Sequence, residues 1–469
     1  MAPQDDFKER SSAFMRWLPS ASATVSEKVT LDDLRHRGAG RGLVAVQDIQ
    51  EGEVLFAIPR SAVLSAANSS LSTTLPQIFE DLDPWSTLIV TMIYEYLRGD
   101  ASPWKPYFDL LPAHFDTLMF WSDDELAELQ ASAVVQKIGK DSANELFNGT
   151  IIPLLRRHAN VFFPDPNVAQ GVTDDELLAL AHRMGSTIMA YAFDIEPDQA
   201  PQEVDEDGYA SEEEDEALPK GMVPLADMLN ADADRNNARL HYGPDVLTME
   251  AVTDIKAGDE IFNDYGPLPR SDLLRRYGYS TPFYEQYDVV EIPTDLIVET
   301  FKAEAKLSDQ EIEEKLAYLE DQDLFETGYD IGRNPEQDPA AVASPELGLL
   351  LATLHLPHAD FQRMRKKGKF PKPDLTPQTA ALLRQAVAKR AAQYPTSLAE
   401  DVHRVSSGAA DLGNARKAMA LAVRIGEKEI LECAANLLAK AAAATAPNTT
   451  KRDGDEGGES SSNKRRRVA

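Results

Sequence analysis

A single cysteine, Cys433, stands in a chain of 469 residues. An internal disulfide framework is therefore excluded, and so is a structural zinc site, which needs several thiolates at fixed spacing. The compartment reads as reducing and no metal is implied. Long apolar runs are missing too. The first thirty residues set Asp5, Asp6, Lys8, Glu9, Arg10 and Arg16 around a short apolar patch at Phe14 to Leu18. No secretory leader or membrane span is expected from this pattern, and the protein is expected to be soluble, unsecreted and without a membrane partner. Positive charge is the third scarcity. Lys and Arg number 47 against 78 Asp and Glu, a net charge of −31. That balance argues against a general nucleic-acid binder, because phosphate contacts need clustered cations, and it favours encounter with a basic protein.

Much of the acidity is local. Residues 196–216 hold eleven acidic and no basic side chains, with Pro197, Pro201, Gly208 and Ser211 among them, the composition of a disordered loop (about 196–218). Either it guides a basic substrate or it is a tolerated insertion. With 43% hydrophobic residues the rest can bury a large core, enough for two domains. Phe7 to Leu18 has helical spacing. Gly42 to Val46 and Val54 to Ile58 are apolar, β-branched runs separated by a turn at Glu51-Gly52. From Pro84 to about Ala192 the pattern is mainly helical. Short alternating strands return in LHYG, VLTMEAV and EIFNDYG, and beyond Pro293 the chain is helical almost throughout. The expected organisation is an N-terminal helix in 1–30, a strand-rich domain in 31–280 with a helical insert at about 66–190, a helical domain in 290–444 and a disordered basic tail in 445–469. In that tail, Lys451-Arg452, an eleven-residue spacer and Lys464 to Arg467 have the form of a bipartite import signal. Location in the nucleus and an import receptor as partner follow as expectations.

Three segments carry chemistry. In RGAGRGLVA, Gly38, Gly40 and Gly42 alternate, which lets a ligand approach the main chain closely. In LADMLNADADRNNA, Asn230-Ala231 is followed by Asn237-Ala238. In GDEIFNDYG a strand runs into Tyr265, and RRYGY places Tyr277 twelve positions later. Taken singly, each has a bland reading: a glycine turn, a capping asparagine, a core tyrosine.

Together these segments resemble the SET-domain lysine methyltransferases. The split domain, the helical insert and the helical C-terminal region resemble in particular the Rubisco large-subunit methyltransferase-like group, nearest its fungal ribosomal-lysine branch. The resemblance implies an α+β fold: a split, strand-rich SET domain with a helical insert, then an all-α substrate-binding domain. It implies transfer of a methyl group from S-adenosyl-L-methionine to a protein lysine. Tyr265 takes the catalytic position; Ala39, Gly40, Arg41, Tyr191, Asn230, Ala231 and Tyr277 take cofactor-binding positions; Trp104, Phe193 and Asp227 lie at substrate positions. Asp401, Arg416, Arg424 and Glu427 match the substrate-binding domain. The family usually has histidine where Ala231 stands. Because its contacts there are largely through the backbone, cofactor binding is compatible with alanine.

Methyl transfer is an in-line displacement by a neutral amine, so most of the catalytic work is positioning. Tyr265 is expected to orient rather than to act as a base. The expected substrate is a basic non-histone protein, a large-subunit ribosomal protein monomethylated at one lysine, with Tyr242 a candidate to limit the room around the amine. The alternatives are a histone or transcription-factor methyltransferase, and a catalytically silent adaptor that binds a basic partner.

Overall fold

The computed structural model describes residues 6–163, 165–195, 218–305, 307–334, 336–407 and 414–444. The acidic segment from 196 to 217 and the basic tail lie outside the described residues. The chain divides into two compact units, Met1–Glu291 with Gln393–Ile430, and Ile292–Ala392 with Leu431–Ala469.

The first unit is built on two small sheets. One has the order β1 (Thr24–Val25), β4 (Val54–Pro59), β9 (Val246–Ala251), β8 (Ala238–Tyr242); the other runs β2 (Val29–Asp33), β3 (Arg41–Ala45), β10 (Glu260–Asn263), β7 (Asn230–Ala231). In both, a strand from before the helical insert pairs with one from after it. β4 lies antiparallel to β9, with a bulge between Val54 and Phe56, and β3 lies antiparallel to β10. The alternating apolar runs read from sequence explain the packing. In β9, Leu247, Met249 and Ala251 point into the core while Val246, Thr248 and Glu250 are half-buried. A third ribbon joins β5 (Ala192–Asp194) to β6 (Lys220–Met222).

Helices frame these sheets. α1 (Phe7–Trp17) buries Phe14 against the core. α2 (Pro84–Leu97) starts at Asp83, whose carboxylate accepts the Ser86 N–H, with proline at its first position. α3 (Asp174–Tyr191) opens with a capping box between Thr173 and Glu176, packs along α2 and ends at Tyr191. α4 (Arg270–Tyr277) ends at Gly278, whose φ is +78°. A Cβ there would come within 2.8 Å of the backbone at Asp116 and Thr117, so only glycine allows the close turn that sets Tyr277 and Tyr279.

The second unit is mainly helical and includes α5 (Asp309–Glu320), α6 (Pro345–His355) and α7 (His358–Arg365). Lys315 is fully buried and donates to the carbonyls of Leu354 and Leu356, closing the C-terminal end of α6. Residues 393–430, although they follow these helices in sequence, group with the first unit. They contribute α8 (Leu398–Ser406) and the first half of α9 (Ala415–Ala443). Ala420 and Val423 pack there on Leu118, Trp121, Leu129, Val134 and Leu274, and a network of largely buried charges joins them. Arg424 donates through Nε and Nη2 to both oxygens of Asp401, at 2.9 Å each, and through Nη1 to Glu128 at 2.9 Å. Lys428 donates to the same Asp401, Glu427 accepts from Ser132 and Tyr394, and Arg416 reaches Asp116 and Glu125. Among the described residues no helix is long and apolar enough to cross a membrane.

Candidate functional site

A cavity of about 1170 Å³ opens in the first unit, where the two halves of the strand-rich core meet. Its walls come from the glycine loop before β3, the β7 segment, the end of α3 and the run from Tyr277 to Tyr284.

Asn230 joins two of these walls. β7 runs parallel to β10, with Asn230 opposite Phe262 and Ala231 opposite Asn263. From there the Asn230 amide donates to the Arg41 carbonyl at 3.1 Å and to Glu260 Oε1 at 2.7 Å. The loop carbonyl is thereby fixed to the strand crossing. Asn237 extends the same device, donating to the Glu260 carbonyl and accepting the Phe262 N–H, so its side chain replaces a rung of backbone pairing. Ala231 offers the cavity its backbone and a methyl group.

The three alternating glycines turn out to be unequal. Gly38 has φ of +81°. Gly42 has no room for a side chain: a Cβ would lie 2.5 Å from Leu34 Cδ1 and 2.9 Å from both Asn230 Nδ2 and Glu260 Oε1. Gly40 meets neither constraint. Arg41 turns its guanidinium away, over the Phe7 ring at 3.8 Å and onto Ser11 Oγ at 3.0 Å. What the cavity receives from Ala39, Gly40 and Arg41 is therefore largely main chain, suited to polar groups of a ligand. Gly42→Ala is expected to cost about 1–3 kcal/mol through overpacking and to weaken ligand binding by displacing the Asn230 amide; thermal unfolding and calorimetric titration check the two effects separately.

Tyr265 and Tyr277 face each other across the inner wall, ring centroids 4.5 Å apart and planes 13° from parallel. Such a stack contributes about 0.5–1.5 kcal/mol beyond burial and fixes both rings. The Tyr265 hydroxyl lies 3.5 Å from the Leu229 carbonyl. Burial, reinforced by Tyr277 and Tyr279, raises its pKa well above that of a free phenol. It therefore stays protonated, able to donate one hydrogen bond and accept another, and unsuited to act as a base. Tyr191, also on the wall, is pushed up to about 12 by burial and by nearby Asp227.

Asp227 sits in a short turn, Ala226–Met228, entered through buried Leu225 at φ +76°. A β-region residue would send the chain elsewhere, so local strain holds this turn against the cavity. Tyr107, also fully buried, donates to Asp227 Oδ2. Burial raises the Asp227 carboxyl to about 8, despite the opposing bond from Tyr107. The sign follows directly: the folded chain holds this proton more tightly than the unfolded one, whose carboxyl titrates near pH 4. Stability from this group is therefore complete at low pH and is lost as pH rises from about 4 toward about 8. In Asp227→Asn that loss should vanish, so the variant gains on the parent between pH 5 and pH 8; denaturant unfolding at the two pH values measures it.

Sequence reading placed Phe193 and Trp104 among the substrate contacts. Neither lines this cavity. Phe193 pairs with Gly221 in the β5–β6 ribbon and packs on the core, while the Trp104 indole N–H donates to the Ala62 carbonyl from a position 3% exposed. Tyr242 lies opposite Leu247 on β8, also away from the wall. The structure adds residues not singled out before: Phe7, Leu110 to Pro112, Glu260, Asp232 with Arg235, and Tyr279 to Tyr284. Arg235 pairs with buried Asp232 and lies over the rings of Phe262 and Phe283 at 4.9 and 4.4 Å. Tyr279 was within reach of sequence, two residues after Tyr277 in the same motif.

The polar inventory of the wall points to a ligand. Among the described residues, six buried side-chain polar atoms make no well-aligned hydrogen bond, and three of them, Asp227 Oδ1, Ser280 Oγ and Tyr284 Oη, belong to cavity-lining residues, with only the N–H groups of Leu225 and Asp227 near the Asp227 carboxylate and that of Ala233 near Tyr284. Orphaned groups are costly to bury, so their concentration here marks a place where a bound molecule supplies the missing partners. Aromatic faces, exposed loop backbone and unpaired hydroxyls fit a molecule with a flat heterocycle, a ribose and an amino-acid end.

Comparison with known proteins agrees with this geometry. The SET domain matches residues 40–266, and the Rubisco LSMT substrate-binding domain matches residues 306–431. Ribosomal lysine N-methyltransferase 4 of Saccharomyces cerevisiae is 32% identical over 434 residues, covering 86% of each chain. N-lysine methyltransferase SETD6 of Mus musculus is 30% identical over 450 residues, 90% of this chain and 89% of that protein. Among solved structures, Rubisco LSMT bound to AdoMet aligns with a TM-score of 0.66 at 22% identity over 92% of both chains. Rubisco LSMT bound to sinefungin and monomethyllysine aligns at 0.65 and 21%, over 94% of this chain and 92% of that one. At such identities the structural likeness is one of fold.

Proposed function

Because this chain belongs to the SET-domain protein-lysine methyltransferases with a Rubisco LSMT-type substrate-binding domain, we propose that it monomethylates a lysine of a large-subunit ribosomal protein in the nucleus. The coarser activity is that of the family: it is an S-adenosylmethionine-dependent protein-lysine N-methyltransferase. The observation that carries the finer reading is the near full-length similarity to a relative named for ribosomal lysine. The net charge of −31 supports a strongly basic substrate. The basic clusters at Lys451-Arg452 and Lys464 to Arg467 support import into the nucleus through an import receptor.

The residues of the wall fit the methyl donor. Backbone of Ala39 to Arg41 and Asn230-Ala231 would hold it, with Tyr277, Tyr279 and the hydroxyls of Ser280 and Tyr284 beside them. When bound, S-adenosylmethionine supplies an electrophilic methyl group on a sulfonium. The protein's share is to bring an uncharged lysine amine to that methyl in line. The apolar Leu110 to Pro112 segment and the tyrosine faces suit a hydrocarbon stem. The neutral Tyr265 hydroxyl, held near the Leu229 carbonyl, is placed to orient the amine. Burial disfavours the ammonium form, so the amine sheds its proton to solvent without a strong base.

Labelled methyl transfer by the purified protein to total ribosomal proteins and, in parallel, to core histones tests the reading, with mass mapping of the labelled band. One ribosomal band carrying a single methyl supports it. A histone band instead sinks the substrate assignment, and absence of both label and cofactor binding favours a silent adaptor.

A further inference from the structure

Charge in the second unit is sharply divided. Residues 292–360 carry sixteen acidic and four basic side chains, whereas 361–392 carry nine basic and one acidic. The densest part is Arg363 to Pro373, in which Arg363, Arg365, Lys366, Lys367, Lys369 and Lys372 are all exposed and no carboxylate intervenes. Arg363 is paired with Asp360. None of the other five has a carboxylate within ion-pair distance among the described residues.

This array is held in shape. α7 ends in a Schellman motif: Gly368 takes φ of +58° and donates to the Arg365 carbonyl at 3.0 Å, while Lys369 N–H donates to the Met364 carbonyl at 3.1 Å. Just beyond, Phe370 stacks on Tyr318 of α5 at 4.9 Å and 20°, and the Tyr318 hydroxyl donates to the Lys369 carbonyl. Tyr318 rests in turn on buried Phe361. The cations therefore project from a folded cap rather than from an extended peptide. Cations near a helix C-terminus are ordinary, because they offset the carbonyl dipole within its last turn. Lys369 and Lys372 lie past that turn and need another account.

We infer that the cap formed by Arg363 to Lys372 is a binding surface for the phosphate backbone of RNA. The patch offers charge without apolar contact: its one aromatic ring is engaged by Tyr318, and no exposed large hydrophobic residue lies within it. A protein partner is recognised through a desolvated apolar centre, which is absent here. A phosphate backbone needs only spaced cations and displaces counterions in a sequence-independent way. The whole-chain charge that argued against nucleic acid is an average, and at physiological salt a field decays over roughly 8 Å, so a local cluster governs its own surroundings. The inference is independent of which protein is methylated.

Fluorescence anisotropy of the full-length protein with a labelled single-stranded RNA of about twenty nucleotides, across a salt series, tests it. Four or five phosphate contacts give a slope of log affinity on log salt of about −3. The triple charge reversal Lys366→Glu, Lys367→Glu, Lys369→Glu is expected to weaken binding at least tenfold, with melting temperature and methylation of a free peptide unchanged. The milder Lys→Gln triple at the same positions should shrink the slope by about 2. Neutralising Lys464 to Arg467 in the tail should leave most of the binding in place. The assignment is overturned if no RNA binding is measurable at low salt, if the tail variant alone abolishes it, or if polyglutamate competes as well as RNA, which would make the surface a site for an acidic protein.

Discussion

Tyr265→Phe is expected to reduce turnover by roughly a hundredfold or more, the scale associated with loss of one preorganised donor at a reacting centre, while the affinity for S-adenosylmethionine changes little. The ring survives in the variant, and with it the 13° stack on Tyr277 that shapes the wall. Only the hydroxyl near the Leu229 carbonyl is removed. Burial holds that hydroxyl neutral, so its effect is one of orientation, and the variant's rate–pH profile should fall in height without changing shape. Single-turnover methylation across pH, paired with calorimetric cofactor titration, measures both terms. An unchanged rate would remove Tyr265 from its assigned role; parallel loss of cofactor affinity would mean that the hydroxyl shapes the donor site instead.

The second large effect concerns stability. Asp401 and Arg424 are both 0% exposed, and Lys428 donates to the same carboxylate. Asp401→Ala would leave one buried guanidinium with only Glu128 and one buried ammonium with no carboxylate within ion-pair distance. Breaking a buried pair from one side costs about 3–5 kcal/mol, enough to lower the melting temperature by roughly 10 °C in a unit of this size. The double variant Asp401→Ala, Arg424→Ala should lose less than the sum of the two single changes, as coupled neighbours do. Burial alone would raise the Asp401 carboxyl, but bonds from Arg424 and Lys428 overcome it and hold the group below the usual range. Its contribution is therefore complete above the unfolded pKa near 4 and is lost as pH falls below that value. Asp227 behaves in the opposite sense, which makes the two carboxylates separable by the pH at which each variant is melted.

The strand-rich half and the chemistry-bearing motifs were legible because their information is local. Alternating apolar runs gave β3, β4, β8, β9 and β10, and the resemblance of the segments around Asn230, Tyr265 and Tyr277 to SET-domain motifs singled out three residues that line one cavity. What escaped depends on long-range packing. Leu110 to Pro112 and Phe7 reach the cavity from elements far away in sequence, and no periodicity within those elements announces it. Alternating glycines gave no means of ranking Gly42 above Gly40, since the difference is the proximity of Leu34, Asn230 and Glu260. The return of residues 393–430 to the first unit rests on Ala420 and Val423 packing against Trp121 and Leu274 and on Asp401 and Arg424 meeting Glu128, long-range contacts that sequence presents only as scattered apolar residues and ions. Net charge is blind in a different way, because a sum over 469 residues says nothing of a basic cap ten residues long.

The interleaved sheets also govern how this protein is made. β4 has β1 beside it early but finds its second neighbour only when β9 exists, roughly 190 residues downstream, and β3, already paired with β2, waits in the same way for β10. At synthesis rates of about 5–20 residues per second, the early strands spend about 10–40 s without their eventual neighbours. During that interval apolar edges carrying Leu43, Leu55 and Phe56 are open to other chains. The insert helices can fold locally in the meantime, but the cavity cannot exist until Tyr265 has been synthesised. A nascent chain of this enzyme therefore carries open sheet edges until β9 and β10 have been made, and cofactor can stabilise the fold only after the last wall residues, Tyr277 to Tyr284, have followed.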